Sequence, residues 1–214
     1  DGKSAREYSD WGLELSPLNT ILLATRVLLE HETGEFDQGE VYLERLLEAM
    51  RRAEFFASAR TAMALAAIAR ITGVPNRLEI AETAAQSLLL EQSVTPLVAM
   101  WAKAGLALLA VQTGDQSAAA EHYSYLLGQQ STMASTVISA DRLLGLLSQT
   151  MGNLDQSMPH FEDALAFCRK AGYRPELAWS CCDYADLLRE RDAERHRAKA
   201  ISLLDESLAI SSEL

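Results

Sequence analysis

The chain has 214 residues, of which 49% are hydrophobic and 7% aromatic, with only 11 glycines and 5 prolines. That bias toward helix formers excludes collagenous, disordered and disulfide-stapled classes and argues against an all-β fold. The formal charge of −11 has the wrong sign for neutralising a phosphate backbone or an anionic bilayer, so neither nucleic acid nor membrane is an expected partner.

The opening residues, Asp1-Gly-Lys-Ser-Ala-Arg-Glu, are polar, and no cleavable apolar core follows them. Residues 1–15 therefore read as a lead-in without a signal peptide. The lack of an initiator Met and the apolar end at Leu214 read as a fragment of a longer protein. From residue 16 onward the sequence repeats. Gly34, Gly73, Gly114 and Gly152 each close an amphipathic stretch and lie 39, 41 and 38 residues apart. A fifth break, near Ala193, has lost its glycine. Pro17, Pro96 and Pro175 recur every 79 residues, and each is expected at the first position of a helix, where proline loses no hydrogen bond.

These marks divide the chain into units 16–54, 55–93, 94–132, 133–173 and 174–214, each a helix running to the break and a second helix after it. In the third unit the helices are expected over about 96–113 and 116–130, and in the fourth over about 134–151 and 155–171. The longest apolar run, Pro96 to Val111, is interrupted by Lys103 and falls short of the ~18 uncharged residues of a membrane span. No stretch alternates as a strand does. A lone hairpin cannot bury both apolar faces, so consecutive hairpins must stack.

A small residue follows the third and fourth breaks by five positions (Ala119, Ser157) and an aromatic follows by nine (Tyr123, Phe161), with Ala164 beyond. This pattern resembles the tetratricopeptide repeat. The expected fold is an all-α, right-handed α-solenoid of about five tetratricopeptide-like helix pairs. The stretch from Asp183-Tyr-Ala-Asp-Leu-Leu-Arg through Ala198-Lys-Ala-Ile-Ser-Leu-Leu to the end looks like the repeat region of large bacterial regulators. Such regulators join an AAA-type or STAND ATPase to a cyclase, kinase or LuxR-type DNA-binding output. The resemblance implies a cytoplasmic arm of a signalling or transcriptional regulator.

Catalysis has no candidate residues. There is no phosphate loop, since Gly2-Lys3-Ser4 lacks the upstream glycines, and no Gly-x-Ser-x-Gly elbow. His122 and His160 stand at equivalent positions after their breaks, but no His-x₃-His or Cys-x-x-Cys accompanies them, so no metal is expected. Cys168, Cys181 and Cys182 fit small core residues in a reducing cytoplasm. Neighbouring acids such as Asp205/Glu206 and Glu162/Asp163 diverge by about 100° on a helix and read as a solvated face. The expectation is no enzyme and no cofactor, but a module binding a protein or peptide. The alternative is a sensor arm whose concave groove takes a small effector or short peptide.

The resemblance places that groove on the first helix of each pair. Counting back from each glycine gives Ile21, Ala24, Leu28, His31 and Glu32, then Arg60, Met63, Ala67, Arg70 and Ile71. The third unit adds Trp101, Ala104, Leu108, Val111 and Gln112, and the fourth Ser139, Arg142, Leu146, Gln149 and Thr150. Arg60, Arg70 and Arg142 would rim Trp101, with Met63 and Gln149 beside them, favouring an acidic peptide or carboxylate. With the register shifted by one, Trp101 is core instead. At the C-terminal end, Ile201, Leu204, Leu208 and Leu214 form one stripe expected to pack inward. Leu203 and Ile210 would then be left bare as a weak self-association surface.

Overall fold

The four break glycines occupy points where the chain reverses between helices. In a computed structural model, which describes residues 2–52, 56–92, 94–135 and 137–213, their φ angles are 82°, 69°, 68° and 78°. That left-handed region is reached by glycine without a Cβ clash, and it ends a helix cleanly. Between the breaks lie α1 (Gly2–Leu15), α2 (Thr20–Glu32), α3 (Phe36–Arg51), α4 (Ala57–Thr72) and α5 (Leu78–Leu89). They are followed by α6 (Pro96–Thr113), α7 (Gln116–Leu126), α8 (Ala140–Thr150), α9 (Leu154–Ala171) and α10 (Arg174–Glu213). The described residues contain no strand, only an isolated bridge between Met133 and Ser139. The protein is all-α.

Two of the start signals need correction, and the fifth break falls beside the expected Ala193. Pro96 opens α6 as expected, but Pro17 lies in the turn before α2. Asn19 is the cap there, its side chain accepting from the Ile21 and Leu22 amides. Helix α8 begins at Ala140 rather than 134, because Ser139 caps it by accepting from the Arg142 amide at 3.2 Å. The fifth break falls at Asp192, whose extended backbone (φ −167°, ψ 95°) splits α10 into two arms. Its carboxylate accepts from the Arg195 amide at 3.1 Å, so an aspartate cap replaces the missing glycine.

The chain divides into two compact units, residues 1–112 and 113–214. In unit 1, α2 packs on α3, α4 on α5, and α2 on α4. Leu23, Val27, Leu43, Leu46 and Leu65 fill its centre. Helix α4 is buried almost all round by a run of alanines (57, 59, 62, 64, 66 and 69). A Cβ built on Gly105 of α6 would meet the Met63 amide nitrogen of α4 at 3.2 Å, so glycine sets that close approach. With 18 residues and mean hydropathy 1.3, α6 is long and apolar enough to cross a membrane by composition. Here its Val98, Ala102, Ala104, Ala107 and Leu108 are buried in the protein.

The lead-in is itself a helix. Arg26 of α2 reaches Ser9 at 3.0 Å and pairs with Asp10, and Arg6 pairs with Glu30 at 2.7 Å. Burial pushes the Glu30 carboxyl up, but hydrogen bonds from Arg6 and Arg26 outweigh it and hold the group below its ordinary range.

In unit 2, α7, α8, α9 and α10 pack in succession, with Phe161 stacked on Tyr184 at 5.5 Å. Its side chains also pair across roughly one sequence period. Arg142 with Asp183 and Gln149 with Glu190 link α8 to the first arm of α10, each across 41 residues. Tyr123 with His160 links α7 to α9, and Arg169 with Glu206 links α9 to the second arm of α10, each across 37 residues.

The expected phase of the last helix is reversed. Leu203 and Ile210 are buried, at 5% and 8% exposure, whereas Ile201, Leu204 and Leu208 face outward; Leu214 lies outside the described residues. The inward face is Ala200, Leu203, Ser207 and Ile210, at helical spacing. Ser207 donates to the Ala178 carbonyl at 2.9 Å and meets Cys182 Sγ at 3.2 Å. A small polar residue therefore sits at the seam between the two arms, its hydroxyl satisfied across it.

Candidate functional site

Helix α4 begins at Phe56, which holds a left-handed φ of 66° and gives the helix no side-chain cap. Arg60 is one turn in, and its side chain runs back toward the helix start, as helical side chains do. Its Cζ lies 5.8 Å from the Phe56 ring centroid and 4.7 Å from that of Trp101 on α6. The two rings meet edge to face at 5.6 Å. Arg60 is 8% exposed, and its Nε is enclosed with no hydrogen-bond partner. Burial pushes its guanidinium pKa down, and no carboxylate opposes that push. The sequence expectation that Arg60 and Trp101 come together is met in unit 1.

The rest of the expected rim lies elsewhere. Met63 is core, at 4% exposure, and Arg70 is half-buried in the last turn of α4. Ala104, Leu108, Ser139 and Leu146 are buried too. Gln149 donates to Glu190 at 2.6 Å. Arg142 is corrected outright, because its charge faces the interior of unit 2. It is 4% exposed, bonding Glu176 Oε2 and Asp183 Oδ2 at 2.7 Å each, with the Trp179 ring centroid 5.3 Å away. Burial alone would depress its pKa, but the two carboxylates raise it instead. Glu176 also accepts from the Ser139 amide and hydroxyl, at 2.7 and 2.8 Å. Half of the twenty side chains assigned to an open groove therefore belong to the packed interior.

The sequence reading missed Phe56, Glu176, Asp183 and Trp179. A signal for two of them was present. Asp183 follows Arg142 by one period, and Trp179 stands thirteen residues before its break, as Trp101 and Arg60 stand before theirs. Phe56 gives no sequence signal, because its place depends on a left-handed backbone at a non-glycine residue.

Other reactive groups are engaged in the fold. His160 Nε2 lies 2.8 Å from the Tyr123 hydroxyl, and burial lowers its pKa. Cys168 and Cys181 are free thiols, buried and pushed up to about 12 by that burial. No group of three or more metal-ligating side chains exists among the described residues. Comparison with protein-family models, with curated proteins and with solved structures found no match to this chain.

Proposed function

We propose that the chain is a non-catalytic protein-interaction module: a right-handed α-solenoid of five tetratricopeptide-like helix pairs, forming an arm of a larger cytoplasmic signalling or transcriptional regulator. The observation that carries the binding role is a pair of exposed apolar stripes. Tyr8, Trp11 and Leu15 on α1 are 73%, 64% and 73% exposed, and Ile201, Leu204 and Leu208 on the second arm of α10 are 49%, 41% and 67% exposed. Both stripes follow i, i+3, i+7, so each lies along one side of its helix. The opposite sides are already occupied, through Ser9 and Leu13 in α1 and Leu203 and Ile210 in α10. Contiguous exposed apolar surface of this kind marks interaction sites, and helix faces with such spacing dock partner helices or peptides. The side-chain pairs one period apart support the stacked-repeat reading, and the regulator assignment rests on the resemblance of residues 183–213.

Selection of displayed peptides against the whole chain tests this reading. Enriched peptides should bind, and Trp11→Glu or the Leu204→Glu, Leu208→Glu pair should weaken them about tenfold. Failure to enrich any peptide, or binding indifferent to both variants, would overturn it.

A further inference from the structure

We infer that Arg60, Trp101 and Phe56 form a receptor for one carboxylate group, carried by an acidic side chain or the C-terminus of a bound peptide. The inference rests on the chain being a binding module, and it names the chemistry which that module recognises. The described residues bury three arginines. Arg26 is neutralised by Glu30 and Asp10, and Arg142 by Glu176 and Asp183. Among the described residues Arg60 alone meets no acid, although it is nine-tenths buried and its Nε has no described acceptor. A cation left in this state is unfavourable, and contact with ring faces offsets only part of the cost.

The cation is also aimed. Its guanidinium lies back beside Phe56, the N-cap of the 16-residue helix α4, whose own side chain gives the first turn no cap. A helix start carries partial positive charge and favours anions, so two independent features converge on one place. The charge count selects the ligand. A carboxylate matches one guanidinium in charge and in its two-pronged geometry, whereas a phosphate dianion brings more charge than one arginine neutralises. The Trp101 and Phe56 rings supply apolar walls for the methylene stem of an acidic residue. Gly105 contributes indirectly: one turn beyond Trp101, its lack of a side chain lets α6 close on the α4 backbone and sets that ring against Arg60.

Titration followed by NMR of the tryptophan indole N–H groups tests the site on the whole chain. Trp101 is distinguished from Trp11 and Trp179 by its loss in Trp101→Phe. Acetyl-glutamate amide should shift the Trp101 resonance saturably, with a ~mM dissociation constant, and acetyl-glutamine amide should not. Acetyl-alanine, with its free terminal carboxylate, reports whether a C-terminus is preferred over a side chain. Arg60→Met should abolish the response while leaving the Trp11 and Trp179 resonances in place, and Arg60→Lys should retain it weakly. A glutamine analogue that shifts Trp101 equally, an unchanged response in Arg60→Met, saturation by inorganic phosphate at lower concentration, or no response to any probe would each overturn the inference. A carboxylate response with no peptide enriched by selection would preserve the site and remove the module reading. Peptides that bind without dependence on a carboxylate would do the reverse.

Discussion

Arg142 in unit 2 and Arg60 in unit 1 are closely matched residues. Both stand on a buried helix that ends at a break glycine, and both place the guanidinium within 6 Å of a tryptophan ring centroid. Around Arg142, two carboxylates close the shell at 2.7 Å, and one of them extends to the cap of α8. Around Arg60 the shell stops at two aromatic rings and an enclosed Nε. A neutralised buried charge is a structural part, since removing any member leaves another uncompensated. At Arg60 the described residues supply no such counterpart, which leaves the place that the inferred carboxylate would take.

The largest expected effect tests the closed half of this comparison. Glu176→Ala leaves Arg142 with one carboxylate and strips Ser139 of its acceptor. It should destabilise the protein by about 3–5 kcal/mol in urea unfolding followed by circular dichroism. A loss below ~1 kcal/mol would mean that the network tolerates an open member.

A smaller effect separates packing from charge. A Cβ on Gly145 would meet the Phe161 ring at 2.9 Å, and that ring is stacked on Tyr184 and cannot swing aside freely. Gly145→Ala should therefore cost about 1–3 kcal/mol, measured the same way. Retention of full stability would show that the Phe161 stack is adjustable.

The smallest effect is a pH dependence in unit 2. Burial lowers the His160 pKa from its ordinary 6.5, so the unfolded chain takes up a proton there before the folded chain does. This contribution to stability should be present above 6.5 and fall away as pH drops through that value toward the lowered pKa. His160→Gln should remove that part of the slope when urea midpoints are compared between neutral and mildly acidic pH. An unchanged slope in the variant would assign the pH dependence to other groups.

The helix breaks were legible in the sequence because glycine at left-handed φ is a local requirement, met by one residue type at Gly34, Gly73, Gly114 and Gly152. The last break was legible only in position, since its device is an aspartate cap. Helix phase was less accessible. Ala200 and Ser207 face inward because the neighbouring arm comes close, and hydrophobic spacing alone assigns that side to the larger Ile201, Leu204 and Leu208. The Arg60–Trp101 contact was accessible from spacing, because equivalent positions in successive pairs lie one period apart. For Arg142 the same spacing points to Asp183 but not to Glu176, whose part depends on which acids of α10 turn toward α8.

The central claim is tested most directly by replacing each arginine with methionine, which keeps the length and apolar stem of the side chain and removes the charge. Arg142→Met leaves Glu176 and Asp183 buried without a cation and should lose about 3–5 kcal/mol of unfolding free energy. Arg60→Met removes an uncompensated buried charge and should leave stability unchanged or raise it by ~1 kcal/mol, since the lost ring contact offsets part of the gain. A large loss in Arg142→Met with no loss in Arg60→Met supports the account. A loss at Arg60 as large as that at Arg142 would contradict it, because Arg60 would then be satisfied within the fold.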